Sequence, residues 1–378
     1  MKKKVSAERV DDLMRSVFVG RSVLMDKLYA RIDKLSFVST LSEKAEKRML
    51  WDRLTQLSTG DRYQIRKHKA GKNECSGLYR NVVEVRLNSC PEDYPLLMVI
   101  HFKPTAKNLR RPGNDGMVYR ERGAVRCEFS PQNYPSYEIT RFILWLGEEA
   151  QLGDMIYQVL NKAWVTRVDY ALDIVGMRLR DYYLRLSDVS TGEVYDSDNG
   201  MEGLRMGNAN LIAACYEKVD VRDLSKKEFS RASLLELDSR EYRDFLRIEL
   251  RLSPRKEDLR LRDIDNMANL TKRLAFYNTA LREDKRLDPA FVALLDMGMG
   301  IPQARSGYKP SSVINGKAVS TNKKQALKRL ERLLLKYQEE LFDADKLWDK
   351  LPELISKLGI IGQSQYWSKK PRDKWLNR

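Results

Sequence analysis

The sequence predicts an α+β fold in which an antiparallel sheet carries helices on one face and a helical, basic region follows. Segments in which polar and apolar residues alternate, as in half-buried strands, recur between residues 32 and 252. Segments with apolar residues at helical spacing interrupt them, and the pattern becomes helical after Pro254. The order of strands and helices up to residue 252 is typical of helices packed against an antiparallel sheet.

The N-terminal elements follow from local patterns. Residues 1–29 are predicted as a helical leader, and residues 32–38 alternate as the first strand. A charged helix is predicted over 42–57, with Ser42 as its N-cap residue. The period of two returns over 78–87, which predicts another strand.

The next segments predict a strand pair followed by a helix. Residues 98–103 and 124–129 alternate like two arms of an antiparallel pair, separated by a polar, Gly-rich stretch over 108–116. Residues 140–162 carry apolar side chains at helical spacing, with a break at Gly153.

The C-terminal part is predicted to be mainly helical. Helices are expected over 259–281 and 289–297, a linker or exposed loop over 298–320, and the strongest helix over 323–345. The helix over 323–345 has a leucine seam, formed by Leu327, Leu330, Leu334, Tyr337 and Leu341. This seam indicates a stripe that packs in the core in preference to a coiled coil between two copies, because two heptads are too short for a coiled coil. The predicted organisation is a leader (1–29), a sheet domain (30–255), a helical extension (256–297), a linker (298–320) and a basic helical region (321–378).

Charge and composition narrow the function. The chain has 69 Lys and Arg against 53 Asp and Glu, a net charge of +16, which favours a polyanionic partner. Because no long uncharged apolar run is present, nucleic acid is a better candidate than a membrane, and a cytoplasmic location is expected. The four cysteines have no paired spacing, which predicts reduced thiols. The sequence contains no Gly-Lys-Ser/Thr phosphate loop, so an ATPase is not indicated.

A tyrosine and a lysine stand at the end of a strand-like apolar run, residues 211–218. On a strand, residues two apart share a face, so Tyr216 and Lys218 are expected on the same side. The segments 167–174 and 246–252 have the same alternation, with charges on one predicted face. A tyrosine, a lysine and several carboxylates on one sheet surface are suited to covalent phosphodiester chemistry with a divalent metal.

These segments resemble a known family. Four short motifs occur in this order along the chain: Glu128-Phe129-Ser130-Pro131, Arg167-x-Asp169-x-x-x-Asp173, Tyr216-x-Lys218 and Arg247-x-Glu249. Together they are similar to the motifs of rolling-circle replication initiators, namely the gene II proteins of filamentous phages and the Rep_trans-type plasmid initiation factors. The resemblance covers roughly residues 30–255. It implies a relaxase-like sheet domain of HUH-endonuclease type, a tyrosine that nicks one DNA strand, and a divalent metal.

The resemblance also implies residue roles. Tyr216 matches the nucleophile and Lys218 the lysine that assists it. The preferred ligands of the implied Mg²⁺ or Mn²⁺ are Asp169 and Glu249, then Glu128 and Asp173. His101 is a secondary candidate ligand, and Arg167 and Arg247 are secondary site candidates that would orient the carboxylates. The alternative interpretation is that Tyr216 is a core residue of a strand and that Lys218 lies at the solvated end of that strand. The alternative for the charged residues is cross-strand ion pairing, with Asp173 the more structural of the two aspartates.

The family resemblance implies a rolling-circle initiator that nicks its origin and transfers the strand through a 5′-phosphotyrosine intermediate in a bacterial host. Double-stranded origin DNA, single-stranded DNA, a host helicase and a host DNA polymerase are the implied partners, and a homodimer is compatible. A non-catalytic origin-binding initiator or repressor, and a transposase or mobilisation relaxase with the same tyrosine chemistry, remain alternatives.

Positive charge is concentrated near the C-terminus. Residues 304–378 contain 17 Lys and Arg against 8 Asp and Glu, a net of +9. This concentration predicts that DNA affinity resides there, and the alternative is a solvated segment that aids solubility. The candidate DNA-binding residues are Lys323, Lys324, Lys328, Arg329, Arg332, Lys369, Lys370 and Trp375.

Overall fold

The computed structural model describes residues 27–41, 43–71, 74–90, 92, 94–105, 123–134, 136–175, 177–189, 191–197, 200–208, 210–217, 245–255, 258–356, 358 and 360. It confirms the α+β class, with a large antiparallel sheet and several helices. Within the described residues, no helix has the length and apolar character needed to cross a membrane.

Strands and helices are numbered separately in chain order. The strands are β1 Lys27–Ser39, β2 Tyr63–Lys69, β3 Tyr79–Leu87, β4 Met98–Pro104, β5 Val125–Phe129, β6 Ala163–Val175, β7 Tyr182–Leu186, β8 Gly192–Ser197, β9 Gly200–Gly207, β10 Leu211–Glu217, β11 Phe245–Leu252, β12 Leu274–Asn278, β13 Val313–Ile314, β14 Lys317–Ala318 and β15 Gln338–Glu339. The α-helices are α1 Lys44–Gln56, α2 Ser136–Leu146, α3 Met155–Asn161, α4 Pro289–Asp296, α5 Ile301–Gly307, α6 Lys323–Tyr337, α7 Ala344–Trp348 and α8 Leu351–Ser356. Short 3-10 helices span Glu74–Gly77, Pro131–Asn133, Leu179–Asp181, Leu261–Asn266, Thr271–Arg273 and Thr279–Glu283.

The chain forms two compact units, each assembled from separate stretches of sequence. The first unit comprises residues 1–31, 170–252 and 268–350, and the second comprises 32–169, 253–267 and 351–378. Strands β1 and β6 contribute residues to both units, because the divisions at 31/32 and 169/170 fall inside them.

The second unit is built on the strand order β2-β3-β4-β5-β1-β6. The predicted antiparallel pairing of β4 with β5 is confirmed, and it places His101 opposite Arg126. One face is apolar and packs against helix α2, where the Tyr63 ring centroid lies 5.2 Å from that of Phe142 and 4.9 Å from that of Trp145. The other face is polar, because the intervening positions of the same strands carry charged residues and histidines.

Two of the helix predictions fall in this unit. The predicted break at Gly153 is confirmed, since α2 and α3 are separate helices and this residue has φ of +60°, a left-handed conformation that favours glycine. Helix α1 begins after Glu43, whose side chain makes no capping hydrogen bond, and the predicted cap Ser42 lies outside the described residues. Most of the predicted leader also lies outside them, and its last three residues belong to β1.

The first unit continues from β6 in the order β6-β11-β10-β9-β8. The three central segments predicted as strands are confirmed as β6, β10 and β11. In the antiparallel pairing of β10 with β11, Tyr216 faces Arg247 and Ala214 faces Glu249. Gly207, at the turn from β9 to β10, has φ of +122°, and a Cβ there would collide with the carbonyl oxygen of Leu211.

The prediction of a helix over 259–281 is wrong. The segment contains three 3-10 helices and strand β12, which lies between β15 and β7 in a three-stranded sheet. The aromatic residues Phe276 and Tyr277 favour a strand, and their pairing with Leu184 and Tyr183 of β7 provides the hydrogen-bonding partner that local sequence cannot reveal.

The segment predicted as a linker, 298–320, contains helix α5 and the β13–β14 hairpin, and Ile301, Ala304 and Tyr308 are buried. Helix α6 ends at Tyr337, eight residues earlier than predicted, because Gln338 pairs with Tyr277 as part of β15. Tertiary pairing therefore overrides the helical periodicity at this point.

The leucine seam of α6 lies in the core of the first unit. Leu330 and Leu334 belong to one buried cluster with residues from β12, α4 and α5, among them Tyr277, Phe291, Leu295 and Ile301. The core-stripe interpretation of the seam is confirmed for this helix. Residues 301–337 are consequently an integral part of the first unit.

We predict that Leu334→Ala lowers the free energy of unfolding by about 2–5 kcal/mol, because it removes a side chain that is 1% exposed from a packed cluster. Leu335→Ala is the matched control, since its side chain is 68% exposed and should change stability by less than about 0.5 kcal/mol. Chemical denaturation of both variants measures the difference. Equal effects would show that this part of α6 is not packed as described.

Candidate active site

Strand β10 presents Tyr216 next to a buried carboxylate. The tyrosine side chain is half-buried, and its hydroxyl donates a hydrogen bond to Oε1 of Glu249 on the neighbouring strand β11. On the other side, Tyr216 faces Gly203 of β9, where an added Cβ would lie 3.7 Å from the Cβ of Tyr216. The predicted nucleophile is thus hydrogen-bonded to one of the predicted metal ligands.

Glu249 is itself held by an arginine that is not among the residues predicted from the sequence. Arg251 donates from Nε and Nη2 to Oε2 of Glu249, at 2.9 and 2.7 Å. Glu249 is 3% exposed, so these charge-assisted hydrogen bonds compensate for its loss of water. Strand alternation could have identified Arg251, since it follows Arg247 and Glu249 at spacing two on the same face.

A second carboxylate of the first unit, Asp173, is buried within an ion-pair network. Arg247 donates from Nε to Oδ1 at 2.5 Å and from Nη2 to Oδ2 at 2.6 Å, and Nε of Arg31 lies 2.8 Å from Oδ2. Asp173 is 0% exposed and Arg247 is 1% exposed. This geometry corresponds to the ion-pair alternative and to the structural role considered for Asp173.

In the second unit, Asp169 pairs with Arg167 and lies close to Asp33. Arg167 donates from Nε and Nη2 to the two oxygens of Asp169, at 2.6–3.1 Å. A carboxylate oxygen of Asp33 lies within 4.8 Å of one from Asp169. Two hard oxygen donors at this separation are compatible with Mg²⁺ or Mn²⁺. Asp33 is not among the ligands predicted from the sequence, although it stands in the alternating first strand.

Glu128 lies on the polar face of the second unit between cations. Nε of Arg126 donates to Oε1 at 2.6 Å, and Nζ of Lys34 lies 3.2 Å from Oε2. Burial opposes ionisation of Glu128, but the charge and hydrogen bond of Arg126, assisted by Lys34 and His101, hold its pKa at about 2. Glu128 is therefore an ionised carboxylate over the physiological pH range.

His101 stands beside Glu128, with Nε2 at 3.7 Å from Oε1. The imidazole is 4% exposed, and burial lowers its pKa from the ordinary value despite the opposing charge of Glu128. Cys75, from the Glu74–Gly77 3-10 helix, lies close to both residues, and burial raises the pKa of its thiol. The sequence predicts no role for Cys75, because no paired cysteine spacing marks it.

The remaining predicted residues divide into two groups. Lys218, Lys369, Lys370 and Trp375 lie outside the described residues. Five others belong to helix α6: Lys323, Lys324, Lys328 and Arg332 are exposed, whereas Arg329 is half-buried and donates to the carbonyl oxygen of Ser320 at 3.0 Å.

Comparison of the sequence with protein-family models finds no match, and comparison with curated proteins finds none either.

We predict that Asp173→Asn lowers the free energy of unfolding by roughly 3–5 kcal/mol, because it removes the carboxylate charge from a buried, two-point pair with Arg247. The matched control is Asp263→Asn, which breaks a surface pair with Arg262 whose side chains are about half exposed and should cost under about 1 kcal/mol. Urea denaturation followed by circular dichroism measures both. Near-equal stabilities would contradict the burial of the Asp173–Arg247 pair.

Proposed function

We propose that this protein is a DNA nickase and strand transferase of the rolling-circle initiator type, with a relaxase-like catalytic arrangement and Tyr216 as nucleophile. The observation that carries the proposal is the hydrogen bond from the Tyr216 hydroxyl to Glu249, a carboxylate oriented by Arg251. The net charge of +16 supports a polyanionic substrate.

The local geometry supports a specific first step. A phenol with a pKa of about 10 is a weak nucleophile at neutral pH, so another group must accept its proton during the attack. In the proposed step, Glu249 accepts this proton while the phenolic oxygen of Tyr216 bonds to phosphorus. The bond from phosphorus to the 3′ oxygen breaks, and that oxygen takes a proton to become a 3′ hydroxyl. The 5′ phosphate remains joined to Tyr216, and the reverse transfer later restores a phosphodiester.

A divalent metal is part of the family chemistry that the sequence resembles. Asp33 and Asp169 offer the oxygen donors that fit Mg²⁺ or Mn²⁺, and neighbouring Arg167 orients Asp169 through two-point hydrogen bonding. When bound, such an ion would polarise a non-bridging oxygen of a DNA phosphate. Glu249 is assigned to Tyr216 in this proposal, although sequence alone suggested it as a ligand.

Duplex binding is proposed for an exposed stripe on α6. Lys324, Lys328, Arg332 and Lys336 recur every four residues and are all exposed, so they share one side of the helix. None of these four forms an ion pair with another described residue. The buried seam of α6 anchors the helix, which leaves the stripe available to bind phosphates.

A non-catalytic origin-binding protein is the second candidate function. It is favoured by the engagement of Asp169, Asp173 and Glu249 with arginines, which is also expected of purely structural ion pairs. The two candidates make opposite predictions for covalent attachment to DNA.

We predict that Tyr216→Phe abolishes a covalent protein–DNA adduct while leaving duplex binding intact, because only the attacking hydroxyl is removed. The substrate is supercoiled DNA that carries the coding sequence of this protein, incubated with Mn²⁺. Nicked product joined to protein is detected by gel electrophoresis after denaturation.

Tyr195→Phe is the matched control. Tyr195 lies on β8, faces Gly203 from the side opposite Tyr216, and is 48% exposed. Its hydroxyl donates to Glu193 at 3.0 Å, so removal of this hydroxyl should leave the adduct yield unchanged. If wild-type protein forms no adduct with DNA that it binds, the non-catalytic candidate replaces the nickase. Adduct formed by Tyr216→Phe at wild-type yield would assign the nucleophile to another tyrosine.

For duplex binding, we predict that Lys328→Ala with Arg332→Ala weakens affinity and reduces the slope of log K against log salt by about 2, because each cation that binds a phosphate adds about one unit to the slope. Lys309→Ala with Lys317→Ala removes the same charge from exposed positions outside the stripe and should change the slope by well under about 1. Fluorescence anisotropy over a range of salt concentrations compares the pairs. Identical slopes would remove the stripe from the DNA-binding surface.

A further inference from the structure

The polar face of the second unit contains a cluster of residues that the proposed nicking reaction does not use. It consists of Cys75, His101 and Glu128, which come from the Glu74–Gly77 3-10 helix, β4 and β5. The thiol sulfur, one imidazole nitrogen and one carboxylate oxygen all lie within 4.8 Å of one another. These residues are distant in sequence, so only the fold brings them together.

We propose that Cys75, His101 and Glu128 bind a transition-metal ion of the Zn²⁺ class, separate from the Mg²⁺ or Mn²⁺ proposed for catalysis. Thiolate and imidazole ligands favour Zn²⁺ over hard ions such as Mg²⁺, which prefer oxygen donors. Three protein ligands leave a fourth tetrahedral position for water.

An independent observation supports a ligand at this place. His101 is 4% exposed, yet its Nδ1 atom has no hydrogen-bond partner among the described residues. Buried imidazole nitrogens are normally satisfied, and the other ring nitrogen, Nε2, lies 3.7 Å from Oε1 of Glu128. The imidazole of the cluster therefore retains hydrogen-bonding or ligand capacity that a bound metal would use.

The distances are compatible with a modest closure of the site. Tetrahedral zinc with bonds of about 2.0–2.3 Å separates its ligand atoms by roughly 3.3–3.8 Å. The observed limit of 4.8 Å therefore requires a contraction of at most about 1 to 1.5 Å, which is within the reach of a change in the χ1 angle of Cys75.

Neighbouring residues orient the cluster, and the positive charges of two of them oppose the binding of a cation. Arg126 holds Glu128 from one side, and each carboxylate oxygen retains lone pairs for a metal. Glu74 accepts from the backbone N–H of Gly71 at 3.0 Å and lies 3.3 Å from Nε2 of His68, which fixes the turn that carries Cys75. The charges of Arg126 and Lys34 weaken cation binding, so thiolate coordination must supply the affinity.

Cobalt titration of the full-length protein tests the proposal, because Co²⁺ occupies zinc sites and a thiolate ligand produces a charge-transfer absorption band. We expect one equivalent to produce this band and Zn²⁺ to remove it. Cys75→Ser should abolish the band, and His101→Gln should weaken binding at least about 10-fold. Cys90→Ser, which removes the other half-buried thiol, should leave the band intact. No band in the wild type, or a band retained in Cys75→Ser, would overturn the proposal.

A second measurement avoids any effect of substitution on folding. Alkylation of the wild-type protein, followed by peptide mass spectrometry, gives separate rates for Cys75 and Cys90. Zn²⁺ should slow alkylation of Cys75 at least about 10-fold and leave Cys90 unchanged, whereas Mg²⁺ should protect neither. Equal rates at Cys75 with and without Zn²⁺ would contradict the site.

Discussion

The buried ion pair between Asp173 and Arg247 is the constraint on which the central strands of the first unit depend. Its two-point geometry joins β6 to β11, and Arg31 adds a further interaction with the same carboxylate. Removing two charges from water is costly, so the pair is compatible with folding only when both members are aligned and fully hydrogen-bonded. This requirement favours one register for β11, and that register places Glu249 beside the Tyr216 hydroxyl.

The same principle explains how acidic residues are accommodated on these strands. Asp169 and Glu249 each receive an arginine from two positions away on their own strand, and Glu128 receives Arg126 in the same way. On a strand this spacing puts both side chains on one face, which gives each of these carboxylates a cationic partner from its own strand. The arrangement limits the rotation of these carboxylates, and a fixed orientation suits groups that accept a proton or bind a cation.

The two clusters differ in chemistry. Tyr216 and Glu249 present a phenol and a hard oxygen acceptor, whereas Cys75, His101 and Glu128 present a thiol, an imidazole and a carboxylate. The first set is suited to attack on a phosphate, and the second to retention of a softer metal ion. The exposed cations of α6 have a third role in our proposal, because they remain solvated and bind phosphates without a defined local geometry.

Alternation of polar and apolar residues was sufficient to predict β6, β10 and β11, and hence that Tyr216 and Glu249 lie on strands, because a period of two is a local property of the chain. The helix break at Gly153 was equally local. Alternation could also have marked Arg251 as a neighbour of Glu249, because the two residues are two positions apart on one strand. Sequence could not identify Asp33 as a neighbour of Asp169, nor the meeting of Cys75 with His101, because strand order and register join segments that are far apart. It also failed at β12 and at the end of α6, where pairing with β7 and β15 outweighs helical periodicity. The sequence by itself determined the positive charge of the chain and the strand positions of β6, β10 and β11. The tertiary structure decided which carboxylates are buried, and it brought Arg31 and Arg247 to Asp173, since burial and these pairings depend on contacts between distant segments.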